Sequence, residues 1–392
     1  MITLLTGDCR EQLQTLPAGS VQTCVTSPPY YGLRVYGNDP REIGQEATPQ
    51  AYVAALVAVF AEVWRVLRDD GTLWVNLGDS YTQTSIRHRR HLYAPGYGGD
   101  GDGGFGAGHQ SADELIDNTF STAAASGIPP KNLLGMPWRV AFALQDAGWI
   151  LRSDIIWSKP NPMPESVRDR PTRAHEYLFL FAKRPRYFYD ADAIREENSP
   201  DMQRRAALGH TRGPNGKTDA SRRDSATLRG EDAKAIDANG RNRRSVWTIA
   251  TQPYSGAHFA TMPEALIEPC ILAGSASQAC ETCGAAWGRV VEREAMIVRD
   301  GPKSEANRGQ NRTATSGTMI SPPKCTTLGF APACRCESNT GSARSVVLDP
   351  FCGSGTVMRV AERFGRDAIG IDLSYQELQE ARTNGVQTEL FR

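Results

Sequence analysis

The sequence predicts an α/β fold: a mostly parallel sheet with helices on both faces. Two observations lead there. Short apolar runs alternate with stretches of helical periodicity, and the two most distinctive turns, Ser27-Pro28-Pro29-Tyr30 and Asp349 to Thr356, each follow directly on an apolar run. At 392 residues the chain is long enough for one large core with insertions or for two domains. One core with insertions fits better, because the two turns must meet in space to form one site.

Taken in order, Ile2 to Leu5 is a short apolar strand ending in Thr6-Gly7-Asp8, followed by an amphipathic helix carrying Leu13 and Leu16. A second strand, Val21 to Thr26, runs straight into the proline turn. Tyr52 to Leu67 has apolar residues at helical spacing (Leu56, Val59, Phe60, Val63), with Asp69-Asp70-Gly71 as its stop. Thr72 to Leu77 is the next buried strand, closed by Gly78-Asp79-Ser80. Glycine is so frequent from Pro95 to Gly108 that residues 87–127 read as a mobile insertion. Periodicity returns with a helix from Trp138 to Ala147 and a strand from Ile150 to Trp157. A hairpin is then expected, with Tyr177 to Phe181 as one arm and Arg186 to Tyr189 as the other.

Residues 1–195 thus read as one half of the main domain. Residues 196–244 are polar, with almost no large apolar side chains, and cannot build a core alone. Ser245 to Ile249 re-enters the fold, and Pro263 to Ala273 reads as a helix, giving a connecting segment at 245–275. A cysteine-bearing insertion follows at 276–340, with polar low-complexity sequence from Asp300 to Ser321. The last segment, 341–392, is strand (Val346 to Leu348), glycine turn, helix (Val357 to Phe364) and strand (Ala368 to Ile371) ending at Asp372, then a helix from Gln376 to Arg382. There is no fixed-period repeat.

Lys and Arg total 44, as do Asp and Glu, so global charge carries no information about a polyanionic partner. Local charge does: between Arg204 and Arg244 basic residues outnumber acidic ones, and several come as Arg-Arg pairs, a pattern suited to phosphate contacts. With no charged-then-apolar leader and no apolar run able to span a bilayer, a soluble, cytoplasmic protein is expected. Nine cysteines are an odd number for a disulfide framework. Five of them (Cys280, Cys283, Cys325, Cys334, Cys336) fall in one short region, which reads as metal binding in a reducing compartment.

The proline turn suits chemistry at an exocyclic amine, a poor nucleophile because its lone pair is delocalised into the ring. Two acceptors for the amino hydrogens, the Ser27 side chain and the Pro28 carbonyl, favour a more pyramidal nitrogen. Pro28 and Pro29 stiffen the turn and contribute no competing N–H donors. Tyr30 can stack on the base, which must leave its duplex to be reached. Four residues recur by chance, as Ser321-Pro322-Pro323-Lys324 illustrates, but the first copy stands at the carboxyl end of a buried strand, where open α/β sheets bind ligands. In the second turn Asp349, Pro350, Phe351, Gly353, Ser354, Gly355 and Thr356 bring backbone and a helix start close to a ligand carboxylate, and no Gly-Lys-Ser/Thr follows, so it is not a phosphate loop. Asp372, at the end of the next strand, is placed to accept ribose hydroxyls.

Together these motifs resemble the amino-directed (cytosine-N4 and adenine-N6) site-specific DNA methyltransferases, of the permuted subtype in which the catalytic motif comes first. The resemblance covers most of residues 1–195 and 245–280, then 345–392. It implies a circularly permuted, Rossmann-like methyltransferase sheet with insertions, its missing strand supplied by Ile2 to Leu5 and its termini close together. It further implies S-adenosyl-L-methionine as methyl donor and double-stranded DNA as partner, with no membrane role and a homodimer left open. Roles carry over to Ser27, Pro28, Pro29 and Tyr30 at the target amine, to Asp8 near the cofactor's adenine, and to the 349–356 turn and Asp372 at the cofactor. His258, Phe259 and Thr261 look like the family's additional cofactor-binding segment. Asp79 and Lys159-Pro160-Asn161-Pro162 also match, without an assigned role. Serine at position 27 after Val25-Thr26 favours cytosine N4; the alternatives are adenine N6 and, more distantly, a zinc-containing DNA-binding protein without catalysis. Target recognition is expected in residues 196–244.

The cysteines depart from that pattern. Cys280-x-x-Cys283 and Cys334-x-Cys336 supply four thiolates for a structural zinc, with Cys325 as the spare. Pro269-Cys270, in a predicted helix with no supporting motif, reads as a buried structural cysteine. His175 before Glu176 reads as a polar residue at a strand entry rather than as acid-base machinery.

Overall fold

In the computed structural model, residues 1–33, 39–82, 126–200, 240–252, 262–293, 297–300, 317–321, 325–337 and 339–373 are described. Along the chain these form β1 (Ile2–Thr6), α1 (Cys9–Thr15), β2 (Val21–Thr26), α2 (Pro49–Val66), β3 (Leu67–Leu77), α3 (Met136–Asp146), β4 (Ile150–Ser158), β5 (His175–Ala182), β6 (Val246–Thr248) and α4 (Glu264–Gly274). There follow β7 (Gly288–Arg293), β8 (Ile297–Asp300), β9 (Gly317–Ser321), β10 (Cys325–Ala331), β11 (Val346–Asp349), α5 (Thr356–Arg363) and β12 (Asp367–Asp372).

Local chemistry sets the helix starts. The Asp8 carboxylate caps α1 by accepting from the Arg10 N–H at 2.8 Å, and the Thr48 hydroxyl caps α2 by accepting from the Ala51 N–H at 3.1 Å, with Pro49 at the first helical position. The stripe Tyr52, Leu56, Val59, Phe60 and Val63 on α2 is fully buried, and each such side chain contributes about 1.5–3 kcal/mol of transfer free energy. It packs with α1 and α3 on Leu73, Val75 and Leu77 of β3. Alternate residues of the strand face the other way: a Cβ on Gly274 of α4 would lie 2.8 Å from Thr72 Oγ1 and 3.1 Å from Trp74 Nε1. Helices therefore cover both faces, as the strand–helix alternation predicts.

Eight strands form one sheet in the order β1-β12-β11-β2-β3-β5-β4-β6. Every strand except β5 runs in the same direction, since β5 pairs antiparallel with both β3 and β4 and the remaining pairs are parallel. The permuted order is realised as expected: β1 fills the place beside β12, with Thr6 opposite Asp372 and the amino-terminal ammonium on Asp367. One edge of the sheet therefore collects the carboxyl ends of β1, β12, β11, β2, β3 and β4 together with the amino end of β5. The helix expected at 376–382 lies outside the described residues, as do most of the 87–127 insertion and residues 201–239 of the basic segment.

Two expectations are corrected. The antiparallel strand Tyr177–Phe181 does not pair with Arg186–Tyr189, which forms no strand; its partners are β3 and β4. In the second arm, the Phe188 N–H is used on the Asp70 carbonyl at 2.8 Å and the Tyr189 ring stacks on Trp74. Likewise Asp69-Asp70-Gly71 is not a break between helix and strand but part of β3, which begins at Leu67 opposite Val21 and shifts register before Thr72 meets Thr23. Arg68 pairs with Asp70, and Lys183 donates to the Leu67 carbonyl, so the polar run has partners along the strand.

The chain divides into two compact units. The first, Met1–Tyr189 with Ser245–Ala286 and Cys336–Arg392, holds the eight-stranded sheet and the α-helices α1 to α5 of the described residues. The second gathers Asp190–Arg244 and Trp287–Arg335, with two antiparallel pairs, β7/β10 and β8/β9. Within it Arg289 grips the Asp190 carboxylate with two nitrogens, at 2.9 and 2.7 Å, and Glu196 is paired by Arg241 and Arg244. Among the described residues no helix is long and apolar enough to cross a membrane.

Candidate active site

β2 ends at Thr26 and delivers Ser27 to the sheet edge. The turn that follows is held from beneath. The Tyr52 hydroxyl of α2 donates to the Pro29 carbonyl at 2.8 Å, and Gly44, at φ +104°, approaches so closely that a Cβ there would be 3.2 Å from the Tyr30 carbonyl oxygen. Gly78 lies against the Tyr30 ring, where a Cβ would come within 2.5 Å of Cε2. The Tyr30 hydroxyl meets the Glu176 carboxylate at 2.8 Å and the Asn76 amide oxygen at 3.0 Å, and Ser27 Oγ lies 3.3 Å from the same hydroxyl. Asn76 is oriented by its own amide N–H, which donates to the Tyr177 carbonyl at 3.1 Å. Lys159 is paired with Glu176 and places its ammonium 4.2 Å from the Trp157 ring centroid. Burial, and then the nearby Glu176 charge, push the Tyr30 phenol well above its ordinary range, so it stays a neutral donor.

The glycine turn stands beside this on the next strand, since β11 pairs with β2. Asp349 is buried and accepts from the Thr26 hydroxyl at 2.6 Å and the Phe351 N–H at 3.1 Å. Burial raises its carboxyl to about 7 against these two hydrogen bonds, which pull it down. Gly353 and Gly355 adopt φ of +46° and +76°, left-handed conformations that only glycine takes without strain. The Gly353 N–H donates to Asp372 Oδ2 at 2.9 Å, and the Gly7 N–H to the Asp372 carbonyl at 2.8 Å. Asp8 is buried, and hydrogen bonds from Arg10 hold its carboxyl below the usual range. Pro350, Ser354 and Thr356 are buried along the turn and Phe351 is half-buried. Asp8, the 349–356 turn, Asp372 and Ser27–Tyr30 are thus brought to one edge of one sheet. His258, Phe259 and Thr261 lie outside the described residues.

The DNA methylase family, N6- and N4-directed, matches this chain over residues 21–279 and 335–383. The chain belongs to this family. It is similar to the type II methyltransferase M.Cfr9I of Citrobacter freundii, 43% identical over 100% of this chain and 90% of the relative. It is similar also to the type II methyltransferase M.XycI of Xanthomonas campestris pv. cyanopsidis, 44% identical over 70% of this chain and 72% of that protein. Among solved structures, the PvuII DNA methyltransferase (cytosine-N4-specific) covers 98% of this chain and 86% of its own, with 14% identity and a TM-score of 0.49.

Around the turns of this DNA methyltransferase stand several residues to which the sequence assigned no role. Asn76 and Glu176 stand beside apolar runs of their strands, and only the register of β3 and β5, with Leu77 opposite Tyr177, shows that both face Tyr30. Thr26 looks like an ordinary strand residue until Asp349 is placed beside it. Asp79, which matched the family without a role, accepts from the Met136 N–H at 2.9 Å and so caps α3, whose own cap position, Gly135, has no side chain to do so. Asn161 exchanges hydrogen bonds with the Thr251 backbone at 2.9 and 3.2 Å and anchors the segment after β6.

The methyltransferase also carries the expected cysteine group. The thiols of Cys280, Cys283, Cys334 and Cys336 all lie within 4.8 Å of one another. The first pair is on a tight turn, with the Gly284 N–H on the Cys280 carbonyl at 2.8 Å and Gly284 at φ +68°. The Arg68 guanidinium donates to the Cys283 carbonyl, and Glu281 accepts from Ser342 and Thr340, whose hydrogen bonds pull its carboxyl far below the usual range.

Proposed function

We propose that this enzyme transfers a methyl group from S-adenosylmethionine to the N4 amine of an everted cytosine in a specific duplex sequence. The observation that supports this most is the meeting of the proline turn and the glycine turn through Thr26 and Asp349. Asp372, Asp8 and the backbone at Gly353–Thr356 would hold the donor, with His258, Phe259 and Thr261 completing the site. The start of α5 suits a carboxylate, since Gly355 at the cap position provides no side-chain acceptor for its first N–H groups. S-adenosylmethionine supplies an electrophilic methyl on a sulfonium. Ser27 and the Pro28 carbonyl accept the amino hydrogens, Tyr30 packs on the base, and the rigid turn aligns nitrogen with methyl at about 3–3.5 Å. Unpairing the base costs a few kcal/mol, offset by those contacts.

Residues 196–244 would read the target sequence through their arginines, in the cytoplasm of a bacterial or phage-infected cell. Cys280, Cys283, Cys334 and Cys336 would bind a structural zinc. Four sulfurs around zinc at about 2.3 Å stand roughly 3.8 Å apart, compatible with the observed grouping.

The test is to incubate the enzyme with duplex DNA and donor, digest to nucleosides, and identify the modified base by mass. N4-methylcytosine is expected. N6-methyladenine would overturn the choice of base, and no modified nucleoside would overturn the reading as an active enzyme.

A further inference from the structure

Ser27 can accept from the target amine only if its lone pairs face the substrate and its single proton points inward. Two groups lie inward of it, the Tyr30 hydroxyl at 3.3 Å and the Asn76 amide oxygen at 3.4 Å. The amide oxygen can only accept, and the bond from the Asn76 amide N–H to the Tyr177 carbonyl fixes the orientation that turns this oxygen toward Ser27. Tyr30 is ambivalent: its proton can point at Ser27, at Asn76 or at Glu176. A carboxylate at 2.8 Å is the strongest of these acceptors, and Lys159 fixes it by an ion pair in which both side chains are mostly buried.

We propose that Glu176, held by Lys159, is a positioning residue that sets the direction of the hydrogen-bond chain Ser27–Tyr30–Glu176. With the Tyr30 proton on Glu176, both inward neighbours of Ser27 offer only lone pairs. Ser27 must then donate inward and present its own lone pairs to the amine. Without the carboxylate, the Tyr30 proton is released to turn toward Asn76 or Ser27, and whenever it points at Ser27 it competes with the substrate for the same oxygen. Glu176 touches no substrate, and it acts through Tyr30 alone.

This inference rests on the methyltransferase reading of Ser27–Tyr30. The experiment is a double-mutant cycle between Glu176→Gln and Tyr30→Phe, read as single-turnover methyl-transfer rates at saturating donor and DNA. Expected is a fall of about 10-fold or more for E176Q, as for loss of a charged hydrogen bond, with donor affinity unchanged. In the Y30F background E176Q should have no further effect. Should E176Q be poorly folded through its unpaired Lys159, the charge-free pair Lys159→Gln with Glu176→Gln restores folding and must still be slow. An E176Q enzyme as fast as wild type, or one that loses as much rate in the Y30F background, overturns the inference. A wild-type enzyme that transfers no methyl at all overturns the methyltransferase reading instead.

Discussion

The Thr26 hydroxyl lies 2.6 Å from Asp349 Oδ1, although 323 residues separate the two in the chain. Each is the last residue of a strand, and the next residue in each case begins a functional turn: Ser27 on one side, Pro350 on the other. Because β2 and β11 are neighbours, one buried hydrogen bond couples the position of the proline turn to that of the glycine turn. Loss of such a bond, with a buried acceptor left behind, costs about 1–3 kcal/mol.

Asp349 gives this junction a pH dependence. Its carboxyl titrates at about 7 in the folded protein against 3.8 ordinarily, because burial penalises the charge. The folded state therefore binds this proton more tightly than the unfolded one. Its contribution to stability is complete below pH 4 and is lost as pH rises through 7, a change on the order of 4 kcal/mol. Denaturant midpoints of the donor-free protein between pH 5 and 8 should fall for wild type and stay flatter for Asp349→Asn. Equal slopes would refute the assignment.

Gly78 is the floor beneath Tyr30. In Gly78→Ala the added methyl meets ring carbons at 2.5 and 2.8 Å, too close to be tolerated without moving the ring. Methyl transfer should fall by about 10-fold or more, while donor binding, measured by calorimetry, stays near wild type. Unaltered turnover would show that the ring position does not matter.

Tyr52→Phe removes the hydroxyl that steadies the Pro29 carbonyl at 2.8 Å. One neutral hydrogen bond is worth about 0.5–1.5 kcal/mol, so the expected loss is up to roughly 10-fold, carried by kcat rather than by KM for the donor. A change confined to KM would place Tyr52 in donor binding instead.

The cysteine group makes a compositional prediction. The purified enzyme should contain one zinc per chain by elemental analysis, and Cys280→Ser should lose it, with a lowered Tm and increased proteolysis near residues 280–340. Cobalt substitution should give the absorption of a tetrahedral thiolate site. Metal-free protein of unchanged stability would argue against the site.

Why the sequence disclosed some of this and hid the rest follows from how each signal is encoded. The strands, their alternation with helices and the two turns are local patterns, read within a few residues. The seat of β1 beside β12 is not local, but it was legible because the resemblance to permuted methyltransferases implies a strand there. The false arm at Arg186–Tyr189 shows the limit of reading local patterns: the consecutive aromatics there belong to a loop whose Tyr189 stacks on Trp74, not to a ladder. Asn76 and Glu176 have no pattern at all. Their meaning comes from cross-strand register, which depends on β5 inserting between β3 and β4, a pairing that no short window of sequence contains.

The outermost pairing, β1 with β12, has a consequence for biosynthesis. β1 docks on a strand encoded more than 350 residues later, Ile2 opposite Ala368, so the Asp8 side of the pocket forms only once β12 has been made. Such distant closure makes maturation slow and leaves Ile2–Thr6 as an unpaired edge in the nascent chain. Forming this edge of the sheet thus requires two strands about 360 residues apart in the chain to meet.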